Sequence, residues 1–285
     1  MAPMASDDAP LPPDSSPAGD DGSADGAPAA ELGTVARCWR YPVKSFQGVE
    51  PDELTITVSG VVGDRTHGLL DRSVGAEGRL LSAKRTAALL DAWATDHDIT
   101  LPDGTTLALT DPAADDVLSA WLGRPVHLAM PAADGQVSYQ MTFDPPDDDT
   151  EVFDIPAPVG SFVDLAPVHL VATATLRACE AARPDLDWSV RRFRPNLLVD
   201  VDGPGFVEGH WLGRHLQVGS VMLAVDTPTV RCAMPLRAQP GGLAREPDLF
   251  HAMSQLNTVS PNHLGAYCSV VTPGTVGPGD PVTLL

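Results

Sequence analysis

The chain has 285 residues, with 38 acidic against 18 basic side chains and a formal net charge of −20. Such a field repels a phosphate backbone, whose recognition starts from clustered Lys and Arg, so no nucleic-acid partner is expected. Charge, Gly or Pro breaks every apolar run well short of the ~20 residues that span a bilayer, so the chain reads as a soluble protein with no membrane partner.

Residues 1–30 hold six Asp and six Pro, no Lys or Arg, and a single large aliphatic residue, Leu11. They bury too little apolar area to offset ordering entropy, and 1–31 is expected as a disordered acidic tail. The tail lacks the basic start and apolar run of a secretory signal and the Arg-rich composition of a mitochondrial presequence, which points to the cytoplasm. About 255 residues with net charge −14 follow, enough for one large domain or two sharing an interface.

From Val35 onward, short apolar runs at 58–71, 126–130, 168–173 and 196–201 predict strands. Asp111-Pro112 predicts a helix with Asp as cap and Pro at the first helical position, carrying Val117, Leu118, Trp121 and Leu122 on one face and stopping at Gly123. The acidic, Pro-rich stretch 144–149 reads as a surface linker and sets a domain boundary near residue 150. A second helix is predicted over Thr173–Ala182, ending before Pro184 with Leu176 and Cys179 facing inward. The two apolar halves of 216–225 predict a hairpin closed at Gly219-Ser220. Many short strands, few helices, no repeat and no βαβ alternation define an α+β, β-dominated fold with barrel character.

Four cysteines, Cys38, Cys179, Cys232 and Cys268, lie far apart with no C-x-x-C pair. That argues against structural zinc, ferredoxin-type clusters and a disulfide framework, and in favour of a reducing compartment. Cys232 departs from the ordinary reading of a small buried residue. It sits in Thr229-Val230-Arg231-Cys232-Ala233-Met234-Pro235, between an apolar strand and a Gly/Pro-rich loop, beside an Arg that favours the thiolate that attacks electrophiles or binds a soft metal. Arg191-Arg192-Phe193-Arg194-Pro195-Asn196 gathers three of the 18 basic residues into six positions. Surface pairing with carboxylates would explain it, and so would an anion site, because guanidinium groups bind phosphate with paired donors and Asn reads both donor and acceptor. Tyr41-Pro42-Val43-Lys44-Ser45 and Gly63-Asp64-Arg65 add further cations at a strand end and a turn. His210 and His215 do not share a helical face, and H-E-x-x-H, Walker, G-x-S-x-G and G-x-G-x-x-G motifs are all missing.

Taken together, the segments Val35-Ala36, Tyr41-Pro42-Val43-Lys44-Ser45, Gly48-Val49, Gly63-Asp64-Arg65, Ser82-Ala83-Lys84, Phe193-Arg194-Pro195-Asn196, Arg231-Cys232, Leu264-Gly265-Ala266-Tyr267, Pro273-Gly274-Thr275 and Gly279-Asp280-Pro281-Val282 resemble, in order, the MOSC proteins with their N-terminal β-barrel domain. The resemblance spans 33–285, and in layout it is similar to the amidoxime-reducing branch of the family. It implies an N-terminal barrel-like domain over 32–150 packed with a C-terminal MOSC barrel over 151–285. It also implies a molybdenum–molybdopterin cofactor with Cys232 as metal ligand and catalytic residue, held by Lys44, Ser45, Arg65, Arg194, Asn196 and Arg231.

The implied activity is a molybdenum-dependent oxidoreductase that removes oxygen from small N-hydroxylated substrates such as amidoximes, hydroxylamines or N-hydroxylated purines. No ferredoxin domain follows the barrel, so electrons are expected from a separate partner: a ferredoxin-like protein, a flavin reductase or a haem protein. Two departures from the family pattern stand out. Leu165-Ala166 replaces an expected Thr-Ser pair, and Met234-Pro235 replaces hydroxyl residues after Cys232. The alternatives are a carrier that holds the cofactor or a persulfide at Cys232 without turnover, and a cysteine hydrolase that pairs Cys232 with His210, His215 or His263.

Overall fold

The computed structural model describes residues 29–75, 78–142 and 150–285. The expected linker 144–149 and most of the expected tail lie outside them. Ala30 and Glu31, assigned to the tail from composition, are instead the first residues of the strand Ala30–Cys38. They are held there by pairing with Leu284 and Thr283, a contact that composition cannot reveal.

Seven strands form a closed barrel in the order 30–38, 197–201, 168–172, 263–272, 221–230, 215–218, 281–284 and back to 30–38. Its first strand comes from the start of the chain and its last from the end, so the barrel ties the two termini of the fold together. Neighbouring strands are antiparallel except 168–172 and 197–201, which run parallel. A parallel pair needs a crossover, and the helix Thr173–Ala182 supplies it, with the bounds the sequence predicts. The 215–218 and 221–230 strands pair with Val218 opposite Val221, which leaves Gly219-Ser220 as a two-residue turn. Gly219 takes φ +55°, the positive φ such a turn demands of its first central residue.

Alternation explains the barrel core. Val221, Leu223 and Val225 point inward from one strand and Val168, Leu170 and Ala172 from another, all buried with Val35, Val199, Leu216 and Cys268. The 168–172 strand is buried at every residue because its outer face is covered as well, with Val171 packing against Cys179 and Phe193. Cys38, Cys179 and Cys268 are buried, and burial pushes the first two thiols up to about 12 and the third higher still.

Between the first barrel strand and residue 142, the strands Leu54–Thr57 and Gly60–Val61 join Gly274–Val276 in a small sheet on the barrel core, and most of the rest forms a second body. It carries the three-stranded sheets 79–80/68–71/126–129 and 93–94/98–100/106–108 around Phe46, Leu69, Leu89, Leu90, Ile99 and Leu118. The expected run 58–71 is two strands, Gly60–Val61 and Gly68–Asp71, because the chain turns at Gly63 (φ +82°) and Arg65 (φ +46°) between them. The first helix begins at Ala114, not at Pro112. The Asp111 carboxylate accepts from the Ala113 N–H at 2.8 Å, shaping a turn ahead of the helix. Gly123 ends it in the left-handed conformation, as expected. No helix among the described residues is long and apolar enough to cross a membrane.

Candidate functional site

Between the barrel and the N-terminal body lies a cavity of about 350 Å³. All seven residues singled out from the sequence, Lys44, Ser45, Arg65, Arg194, Asn196, Arg231 and Cys232, line it. Lys44 and Ser45 come from the turn after the first barrel strand, Arg65 from the turn before the strand Gly68–Asp71, and Arg194 and Asn196 from the entry to 197–201. Arg231 and Cys232 follow the 221–230 strand directly.

Backbone strain marks three of these positions. Ser45, Arg65 and Arg194 have φ of +71°, +46° and +52°, three of the five non-glycine residues in the described chain with positive φ. Residues held in the left-handed region persist only where their surroundings over-determine them, and such positions concentrate at functional sites.

The electrostatics invert those of the whole chain. Six basic side chains and one carboxylate, Asp164, line the cavity. Arg194 and Arg65 both stack on the ring of Tyr41, with guanidinium carbons 4.1 and 4.8 Å from its centroid. Arg194 donates from Nη2 to the Phe46 carbonyl at 2.7 Å, while its buried Nη1 has no hydrogen-bond partner among the described residues. Arg231 donates from Nε to Leu264 O at 2.9 Å, from Nη1 to Phe193 O at 3.2 Å, and from Nη2 to His169 Nε2 at 2.6 Å. Burial lowers both arginines to about 10, so each stays cationic at neutral pH.

Lys44 and Lys84 share Asp164, at 2.5 and 3.1 Å. Lys44 also donates to Phe162 O at 2.7 Å, and both ammonium groups lie over the ring of Tyr139. Burial pushes Lys44 down to about 8 against the pull of Asp164. Burial also works against the Lys84 charge, but Asp164 and then Cys232 outweigh it and raise its pKa. Asp164 is itself opposed by burial, yet the two lysines hold its carboxyl well below the usual range.

Several residues in this wall carry no motif: Asp164, Tyr139 and His169; Tyr267 lies in a recognised segment but is not among the expected site residues. Lys84 belongs to a recognised segment but not to the expected site. His169 alternates with apolar neighbours in Val168-His169-Leu170 and reads as an ordinary strand residue; only its register opposite Tyr267 and its reach to Arg231 place it here. Conversely, the Arg191–Asn196 cluster does not act as one unit. Arg192 is buried and its head is committed to Pro235 O, Ala244 O and Asp187, clamping the loop after Cys232. Arg191 binds Pro240 O.

His210, His215 and His263 do not line the cavity. His210 and His263 border a separate one of about 280 Å³, and His215 is exposed. Among the described residues His169 is the one histidine lining the Cys232 cavity, and its ring is already engaged by Arg231 and the Arg194 carbonyl. A Cys232–His pair of the hydrolase type therefore has no support in the geometry. No three His, Cys, Asp or Glu side chains among the described residues converge as a self-sufficient metal site. Cys232 is the one thiol lining this cavity among the described residues.

The fold is a closed barrel packed against a smaller β-rich body, with a single half-buried cysteine in a cation-lined cavity between them. Family models make this specific. The MOSC N-terminal beta barrel domain matches residues 32–125 and the MOSC domain residues 158–283. The chain belongs to the MOSC proteins that carry both domains. Mitochondrial amidoxime-reducing component 1 of Mus musculus is 24% identical over 299 residues, spanning 90% of this chain and 83% of that protein. The protein of the same name from Homo sapiens is 26% identical over 292 residues, spanning 90% and 84%. Among solved structures, the YUAD protein from Bacillus subtilis aligns with a TM-score of 0.41 at 10% identity, over 90% of this chain and 95% of that one.

Proposed function

We propose that the protein is a molybdenum-cofactor-dependent oxidoreductase that removes oxygen from N-hydroxylated substrates such as amidoximes and hydroxylamines. The observation that carries this reading is the buried Nη1 of Arg194, a charged donor without a partner among the described residues, in a cavity where cations crowd around a single accessible thiol. A buried guanidinium donor left unpaired costs free energy, and an anionic phosphate is the chemistry that satisfies it. The residues present fit a phosphorylated pterin dithiolene. Arg65, Arg194, Lys44 and Lys84 supply charge, and the Asn196 amide and Ser45 hydroxyl supply directional bonds.

When bound, the molybdenum centre supplies the two-electron oxygen-atom chemistry, which belongs to the cofactor and not to the fold. The chain supplies Cys232 as the soft ligand, the cations that hold the phosphate, and walls that exclude water. Ser45 Oγ accepts from the Ala83 N–H at 2.9 Å, which fixes the oxygen and leaves its O–H free to donate into the cavity. Leu165 and Val230 line the mouth with exposed apolar surface where a substrate body would rest. The electrons come from a separate partner protein.

The test is molybdenum content per chain by elemental mass spectrometry, in wild type and Cys232→Ala purified from a host that makes the cofactor. About one equivalent in the wild type, lost in a Cys232→Ala variant that keeps its circular dichroism, is the expected outcome. A folded wild type without molybdenum overturns the reading. Steady turnover of an amidoxime with a chemical reductant then separates a reductase from a cofactor carrier.

A further inference from the structure

His169 touches three of the positions expected to hold the cofactor, Asn196, Arg194 and Arg231. Its backbone N–H donates to Asn196 Oδ1 at 3.1 Å, and its carbonyl accepts from the Asn196 N–H at 2.7 Å. Its ring bridges two arginines. Nδ1 faces the Arg194 carbonyl at 3.4 Å and Nε2 faces Arg231 Nη2 at 2.6 Å. A carbonyl only accepts and a guanidinium only donates, so the ring must carry its proton on Nδ1 and present Nε2 as acceptor. Burial, reinforced by the charge of Arg231, holds the imidazole pKa well below its ordinary value, and the neutral ring this tautomer requires is the stable one.

The ring is locked in place. Tyr267 packs against it with centroids 5.5 Å apart, and Gly265 leaves the space it fills, since a Cβ there would lie 2.9 Å from Nε2. The Arg231 fork is correspondingly over-determined. Leu264 O takes donors from Nε and Nη2, Phe193 O takes one from Nη1, and His169 takes the other Nη2 proton. One N–H, on Nη1, remains for a ligand. On the far side of the ring, the Nδ1 proton holds the carbonyl of Arg194, whose own φ is +52° and whose Nη1 is the unpaired donor.

Resting on the reading of this cavity as the cofactor site, we propose that His169 is a positioning residue that aims the free donors of Arg231 and Arg194 at the same anion by holding one side chain and one backbone from a single rigid ring. Both of its ring nitrogens are spent on the protein, so it acts through the two arginines. Removing both ring nitrogens while keeping the ring's volume leaves Arg231 Nη2 one acceptor short and releases the Arg194 turn, and the pair then no longer meets an anion in register.

The test uses the full chain free of cofactor, titrated calorimetrically with inorganic pyrophosphate, in wild type, His169→Phe and His169→Gln. Gln offers an amide oxygen to Arg231 and an N–H to the Arg194 carbonyl, so it replaces both functions of the ring. His169→Phe is expected to weaken pyrophosphate binding by about ten- to a hundredfold, and His169→Gln to recover most of that loss. Molybdenum content from a cofactor-producing host should fall and recover in the same order. Should His169→Phe not be recovered folded, His169→Asn takes its place, because its shorter amide spans only one of the two partners. Wild-type affinity in the Phe or Asn variant, or no recovery with Gln, overturns the positioning role. A wild type that holds molybdenum but shows no such ordering defeats this inference alone, whereas a wild type that binds neither pyrophosphate nor molybdenum defeats the reading of the cavity with it.

Discussion

The barrel interior and the cavity at its flank draw on the same strands and follow opposite rules. Inside, Val168, Leu170, Leu223 and Val225 meet other apolar side chains and need only fill space. On the outer face of those strands or just past their ends, His169, Arg231 and Cys232 meet cations, carbonyls and an aromatic wall, and three nearby residues hold strained backbone. The first region tolerates any neighbour of suitable volume, while the second needs particular atoms at particular distances. The contrast teaches that stability is stored in the barrel and committed at the cavity, where buried cations must be held by Asp164, carbonyls and aromatic rings.

Substitutions on each side should break the two regions differently. The largest effect on stability is expected for Leu223→Ala, a fully buried barrel residue: about 3–5 kcal/mol by denaturant unfolding, with molybdenum content per folded chain unchanged. Asp164→Asn follows at about 3 kcal/mol, since it strips two nearly buried lysines of their shared anion. Its signature is pH. The Asp164 carboxyl is depressed in the folded state, so the unfolded chain binds its proton first as pH falls. The wild-type advantage over Asp164→Asn should be complete above the ordinary carboxylate value of 3.8 and shrink steadily below it, read by unfolding titrations across that range. An advantage independent of acid would mean that the pair does not carry the effect.

A smaller change is expected from Arg194→Glu, which reverses charge beside Arg65 and deletes the unpaired donor. Molybdenum content or pyrophosphate affinity should drop by at least about tenfold, equivalent to about 1.4 kcal/mol, while the barrel keeps its unfolding transition. Unchanged occupancy would place Arg194 outside the ligand's reach. At the small end stands Arg37→Ala. Arg37 pairs with Glu50 at 2.5 Å, but both side chains are more than two-fifths exposed. Water screens such a pair, and its loss should move stability by less than about 1 kcal/mol.

Much of this organisation was legible from local pattern. The crossover helix Thr173–Ala182 and the Gly219-Ser220 turn follow from periodicity and turn chemistry, which act over a few residues. The cationic segments were visible because basic residues are scarce in this chain. Others escaped for physical reasons. Ala30 and Glu31 look like tail residues and become strand only because the C-terminal strand pairs with them. Arg192 looks like part of an anion site and is a buried clamp, because the short helix Val190–Phe193 turns it toward the 235–244 loop and away from Arg194. His169 and Asp164 carry no signal at all, since one hides in an apolar alternation and the other lies in an unremarkable loop.

By itself the sequence determined the β-dominated architecture, the family and the set of basic and thiol residues available for chemistry, because these depend on composition, short-range periodicity and ordered motifs. Only the tertiary structure decided which cations face one another, which of them keep a free donor and which acceptor aims them. Those outcomes depend on register between strands that are distant in the chain, where a shift of one residue would turn His169 into the barrel core and Leu170 out toward Arg231.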